Sequence, residues 1–241
     1  MPDSYELEPE PIRPDLPGEV SLHEGLEELI TAAASDLYLQ ANACVREFGD
    51  FHLALSGGQT VEKLFIRLMA DPLYRALPWT RTQLWVAADS PGGSNFRAAS
   101  IVDEVLRHHA GIPCSQIHAL DPTGAQAHET YEKKLLETLG WREKGHDRLD
   151  FLVVGLEAGV PGGGEDLAGG RVVSRFRTNG GSECVSMTPW FVNGSRFIAM
   201  LASGNTCRSM IQAARGGEVP FQPVGGVQKW YLDHAAIGEA P

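Results

Sequence analysis

Cysteine is scarce and scattered in this chain of 241 residues: Cys44, Cys114, Cys184 and Cys207 stand far apart, with no CxxC pair among them. Such spacing indicates neither a zinc site nor a small disulfide framework, and it fits a reducing, cytoplasmic setting. Long apolar runs are missing too, and none reaches the length that spans a bilayer. The first residues are acidic and proline-rich instead of basic and then apolar, so no signal peptide is expected. Basic residues are outnumbered: 20 Lys and Arg against 31 Asp and Glu give a formal net charge of −11, with no Lys/Arg cluster to override it. That balance opposes nucleic acid and anionic membranes as partners, so any bound phosphate has to be met locally. No repeat of fixed period and no heptad pattern occurs, which excludes solenoid and fibrous architectures. His118, His128 and His234 do not fall at metal-ligand spacing, and neither a metal nor another cofactor is expected.

What is present is a 43% hydrophobic chain at the upper end of a single α/β domain. Residues 1–20 carry five prolines among acidic residues and read as a tail, leaving 21–241 as one domain. Ser21 followed by Glu24 matches a capping box, and Leu26, Leu29, Ile30, Ala33, Leu37 and Ala41 recur at helical spacing behind it. Short apolar runs at 51–55, 83–88, 116–120, 151–155 and 197–202 read as strands. They alternate with helical patterns at 61–69, 95–109, 125–139 and 206–214. This alternation predicts a three-layer α/β/α sandwich around a mostly parallel, Rossmann-like sheet. Residues 171–176 and 183–187, joined by Asn179-Gly180-Gly181, predict a small hairpin or sheet-edge addition. Ligands of such sheets bind beyond the carboxyl ends of the strands, which selects four loops: the one at Ser56, then 89–94, 157–170 and 203–205.

The first of these loops carries most information. Leu53-Ala54-Leu55-Ser56-Gly57-Gly58-Gln59-Thr60 reads as a buried strand turning into a small-residue loop and then a helix. Ser56, Gly57, Gly58 and Thr60 are candidate phosphate ligands, because backbone N–H groups at a helix N-terminus favour an anion. An ordinary strand-to-helix turn that uses glycine for its geometry remains the other reading.

The order of motifs resembles the 6-phosphogluconolactonase family, which is related to the glucosamine-6-phosphate deaminases. The resemblance runs over nearly the whole chain after residue 20. It rests on the Ser-Gly-Gly loop, on Ser94-Asn95 followed by Phe96 and Ala98, and on Ile112-Pro113 before Ile117-His118. It continues in the strand, loop and helix at Ala199 to Met210, in Pro220, and in the closing Trp230-Tyr231-Leu232-Asp233-His234-Ala235-Ala236. It implies a small sugar phosphate or phosphate ion as ligand, and lactone hydrolysis as activity.

The chain departs from the family where the chemistry resides. The family's Gly-x-Gly-x-Asp-Gly-His loop, whose histidine serves as the base, corresponds here to Gly155-Leu156-Glu157-Ala158-Gly159-Val160-Pro161. Gly159 stands for the aspartate and Pro161 for the histidine, and proline cannot move a proton. An Asp-Glu-Arg is reduced to Asp89-Ser90-Pro91, an arginine position holds Cys184, and a lysine position holds Cys207. The resemblance therefore implies 6-phosphogluconolactonase-like membership with hydrolysis weak or lost. The alternative is a catalytically inactive homologue that binds a sugar phosphate or serves as a regulatory scaffold.

Other candidate site-lining residues are Asp89, Ser94, Asn95, Glu157, Gly204 and Cys207. Asp89 either caps the helix opened by Ser94-Asn95 or takes a polar role at the strand mouth. Cys207, near a helix start, reads either as a small packed residue or as a thiol of lowered pKa. Glu157, Glu165 and Asp166 are possible substitute carboxylates, in a glycine-rich loop that suggests mobility.

Overall fold

The structure is a computed structural model that describes residues 14–89, 97–120, 124–158, 170–177, 183–219 and 221–238. Its strands are β1 (Glu19–His23), β2 (Phe51–Leu55), β3 (Thr82–Val86), β4 (Ala88–Asp89), β5 (Ile117–His118), β6 (Phe151–Gly155), β7 (Val173–Arg177), β8 (Glu183–Met187), β9 (Phe197–Ala202) and β10 (Val227–Asp233). Its α-helices are α1 (Leu26–Phe48), α2 (Gln59–Ala70), α3 (Ala98–Ser100), α4 (Arg107–His109), α5 (Ala127–Leu139), α6 (Pro189–Val192), α7 (Arg208–Arg215) and α8 (His234–Ile237). A π-helical stretch, Ile101–Leu106, joins α3 to α4.

Seven strands form one sheet in the order β1-β10-β9-β6-β2-β3-β5, every neighbouring pair parallel. The sequences of β2 (FHLAL), β6 (FLVVG) and β9 (FIAMLA) are buried at every position, because helices cover both faces of the sheet. Helix α1 lays Leu29, Ile30, Ala33, Ala34, Leu37, Ala41 and Cys44 into this core, the stripe that its periodicity predicts.

Two expectations need correction. Ser21 is not a helix cap: it lies in β1, and α1 starts at Leu26 behind Gly25, with no side-chain cap. Glu28 accepts from the Glu24 N–H at 3.2 Å, one residue before the N-cap Gly25, so this is not the bond of a capping box. The tail boundary at residue 20 consequently falls inside a strand. Leu16 is buried and Trp230 Nε1 donates to the Pro17 carbonyl at 2.8 Å, which joins residues 14–20 to the domain; residues 1–13 lie outside those described. Of the small hairpin or sheet-edge addition, the structure realises the first alternative, in β7 and β8. They pair antiparallel as expected, but they join β4 in a separate three-stranded sheet and do not extend the main one. Their turn at Asn179-Gly180-Gly181 lies outside the described residues.

The amino ends of the central strands are clamped by buried charge. Asp150 is fully buried; it accepts from the His52 N–H at 2.7 Å, from Arg142 at 2.7 and 2.8 Å, and from Arg196 at 3.1 Å. Arg142 also reaches Asp50 at 2.6 Å, and both guanidiniums lie over the Phe48 ring. This clamp leaves the opposite ends of the strands to carry the site.

Candidate functional site

The carboxyl ends of β2, β6, β9 and β10, four neighbours in the sheet, release the segments 56–58, 156–158, 203–207 and 234–237 side by side. The described starts of three of the four predicted loops thus lie side by side here. The fourth starts from Asp89 in the small sheet, which is tied to the same strand ends by the bonds Ala87 N to Leu55 O and Met187 N to Ala87 O, both 2.8 Å.

The loop after β2 is built as a close passage between strands. Ser56 is buried. Its Oγ accepts from the Gly155 N–H at 3.0 Å and donates to the Gly57 carbonyl at 3.0 Å, so the hydroxyl joins this loop to β6. Its hydroxyl proton is thus engaged within the chain. Gly155 is needed for the approach: a Cβ there would lie 2.8 Å from the Gly57 carbonyl oxygen and 2.9 Å from Val61 Cγ2. Gly58 caps α2 at φ 130°, a conformation that L side chains rarely adopt.

An anion does occupy this helix terminus, and the chain supplies it. The Thr60 N–H, the second of α2, donates to Glu157 Oε1 at 2.6 Å. A Cβ on Gly58 would fall 2.9 Å from that same oxygen, so the glycine makes room for the carboxylate. Glu157 Oε2 is enclosed and makes no hydrogen bond among the described residues. Glu157 sits in a single 3₁₀ turn, Leu156–Ala158, directly after β6. It is held by Thr60 across 97 positions of sequence, where glycine-rich surroundings had suggested mobility.

Cys207 is fully buried; its thiol donates to the Ser203 carbonyl at 3.7 Å. Burial, and then the nearby Glu157 carboxylate, push its pKa up, so the reading of an activated thiolate is overturned and the packed residue stands. Gly204, at φ 78°, donates its N–H to Asp233 at 3.1 Å, and Ser203 Oγ donates to Asp233 Oδ2 at 2.6 Å. Asp233 Oδ1 also accepts from the Ala236 N–H at 2.8 Å, capping α8. One carboxylate therefore orients the loop after β9. Its signal was the aspartate of the closing motif, to which no role had been given. Arg208 Nε donates to the Ala235 carbonyl at 3.0 Å, so this cation braces α8.

Asp89 is buried and takes a bidentate pair from Arg97, Nε to Oδ1 at 2.8 Å and a terminal nitrogen to Oδ2 at 2.9 Å. Arg97 stands at the N-cap position of α3, and its side chain is 29% exposed, so a partly exposed guanidinium lies beside Asp89. Sequence reading missed it, although it follows Ser94-Asn95-Phe96 directly. Ser94, Asn95, Gly159, Pro161, Glu165 and Asp166 lie outside the described residues.

The three histidines do not meet. His118 stacks on Trp85 with ring centroids 3.7 Å apart, and burial lowers its pKa to about 4. His128 and His234 approach Glu129 and Glu24, at 4.0 and 3.8 Å. Among the described residues no group of three or more His, Cys, Asp or Glu could hold a metal ion, and no helix is long and apolar enough to cross a membrane.

Comparison with known proteins gives this arrangement a context. A rabbit (Oryctolagus cuniculus) GDH/6PGL endoplasmic bifunctional protein is 28% identical over 244 aligned positions. These cover 88% of this chain but only 29% of that longer protein. A 6-phosphogluconolactonase of Haemophilus influenzae is 24% identical, covering 77% of this chain and 86% of its own length. The solved 6-phosphogluconolactonase of Trypanosoma cruzi superposes with a TM-score of 0.73 at 18% identity, over 93% of this chain and 97% of that one, a likeness of fold. Residues 24–159 match the model of the glucosamine-6-phosphate isomerases/6-phosphogluconolactonase family, more than half of the chain, and the chain belongs to that family.

Proposed function

We propose that this chain is a 6-phosphogluconolactonase-like protein of sugar-phosphate metabolism in which lactone hydrolysis is weak or lost. The reading is supported by family membership together with one observation: the loop after β6 offers no imidazole. The motif position of the base is Pro161, and the loop's one described carboxylate, Glu157, is engaged with the Thr60 N–H. A missing general base typically costs on the order of 10² to 10⁴ in rate. The positions read as phosphate-clamping arginine and lysine are Cys184 and Cys207, and charge-assisted bonds are the stronger class. What remains is a ligand-binding frame at the strand ends. This favours a binding or regulatory role for a small sugar phosphate over rapid turnover.

The test is hydrolysis of 6-phosphoglucono-δ-lactone by the purified full chain against the spontaneous rate. The expected result is a rate within a few-fold of background. Turnover well above background, abolished by heat and lowered by Glu157→Gln, would overturn the proposal and make Glu157 a replacement base.

A further inference from the structure

The pairing of Glu157 with the start of α2 has a consequence for what the site can bind. We infer that Glu157 is a built-in anion that fills the phosphate position of the Ser56–Thr60 loop, so that a phosphorylated ligand binds this chain only by displacing it. The inference rests on the reading of that loop as a phosphate site, and it names the residue that sets the site's selectivity.

Four observations converge. Helix α2 is a full helix of 12 residues, whose second N–H is taken by Glu157 Oε1 at 2.6 Å, the bond an incoming phosphate oxygen would need. Gly58, in the left-handed half of backbone space, leaves open the volume that this oxygen fills. Ser56 Oγ is committed to Gly155 and Gly57 and cannot compensate for the occupied donor. Glu157 Oε2 is enclosed without a partner among the described residues, so the carboxylate is held there through Oε1 alone, the kind of hold that a competing anion has to break. The sequence adds a fifth point: Glu157 stands at the second glycine of the Gly-x-Gly motif, and glycine has no side chain with which to reach Thr60. A bound phosphate and the Glu157 carboxylate cannot share the position, for reasons of volume and of like charge.

The experiment is calorimetric titration of the full chain with inorganic phosphate and with 6-phosphogluconate, for the wild type, Glu157→Gly and Glu157→Gln, with circular dichroism as the check on folding. The inference expects Glu157→Gly to bind phosphate at least about tenfold more tightly than wild type, with the Thr60 amide resonance among those that shift. Should the glycine variant not fold, the near-isosteric Glu157→Gln decides by the same criterion: a gain in affinity supports the inference and no gain overturns it. Wild type binding as tightly as the variants would overturn the displacement while leaving the loop a phosphate site. No binding by any of the three at millimolar phosphate would overturn both the inference and the phosphate reading beneath it. Lactone turnover is not part of this readout, so loss of the hydrolysis proposal would be seen separately.

Discussion

Replacing Glu157 by alanine sets two terms against each other, and their balance separates a displaced ligand from an ordinary helix cap. The bond from the Thr60 N–H to Oε1 acts as an N-terminal cap, worth about 0.5–2 kcal/mol. The attraction of a carboxylate for the helix terminus adds about 0.3–1 kcal/mol. Against these stands Oε2, enclosed without a partner among the described residues, whose burial costs about 1–3 kcal/mol and whose removal returns that amount. The expected net effect of Glu157→Ala is thus small, a loss within about 1 kcal/mol, where a plain cap would lose up to about 3 kcal/mol. Phosphate then discriminates further. At a concentration 100 times its Kd it stabilises the folded chain by about 2.7 kcal/mol, which for a domain of this size raises Tm by roughly 5–11 °C. Urea denaturation of wild type and variant, with and without phosphate, measures both numbers. The expected pattern is a nearly neutral substitution in buffer and a phosphate-dependent gain larger in the variant than in wild type. A loss clearly above about 1 kcal/mol, toward the roughly 3 kcal/mol of a plain cap, that phosphate does not recover would refute the balance and leave Glu157 a structural cap.

Two further outcomes concern the frame that carries the site. Asp150→Ala leaves Arg196 and part of Arg142 without their buried carboxylate and the His52 N–H without an acceptor; the expected cost is about 3–5 kcal/mol in denaturant unfolding, and a loss below about 1 kcal/mol would contradict the clamp. His118 has its pKa lowered by burial from 6.5 to about 4, so the unfolded chain takes up the proton first as pH falls. Stability is expected to drop between those two values, by up to roughly 3 kcal/mol, and His118→Phe should flatten the slope. An imidazole titrating at its ordinary value by NMR would refute this.

The parts of the fold legible in sequence are those whose burial is decided locally. Strands β2, β6 and β9 lie between two helical layers, so their apolar runs are unbroken and their ends stand out. Strands β1 and β10 were missed for the complementary reason. The first is a half-buried edge strand, and the second mixes Gln228, Lys229 and Asp233 among its aromatics; neither pattern is distinctive until the two pair with each other, some two hundred residues apart. The site divides in the same way. The turn Ser56-Gly57-Gly58 declares itself because glycine geometry is local, whereas the tenant of that turn depends on β6 lying beside β2, which no local pattern contains.

Once Glu157 is placed, the changes at three separated positions acquire one electrostatic explanation. A helix N-terminus carries roughly half a positive charge, enough to hold a single carboxylate but well short of the one and a half to two negative charges of a bound phosphate monoester. A site that receives phosphate needs cations opposite the loop, and the family resemblance places an arginine and a lysine at the positions of Cys184 and Cys207. With a singly charged carboxylate in place, those cations are surplus. Neutral cysteines stand at both positions, and Cys207 packs close enough to Glu157 for the carboxylate to raise its pKa. On this reading the loss of the clamps and the gain of the internal anion are a single coupled change. Restoring lysine at position 207 in the Glu157→Gly background should therefore strengthen phosphate binding more than Cys207→Lys does alone, because beside an intact Glu157 the new ammonium pairs with the carboxylate instead of the ligand.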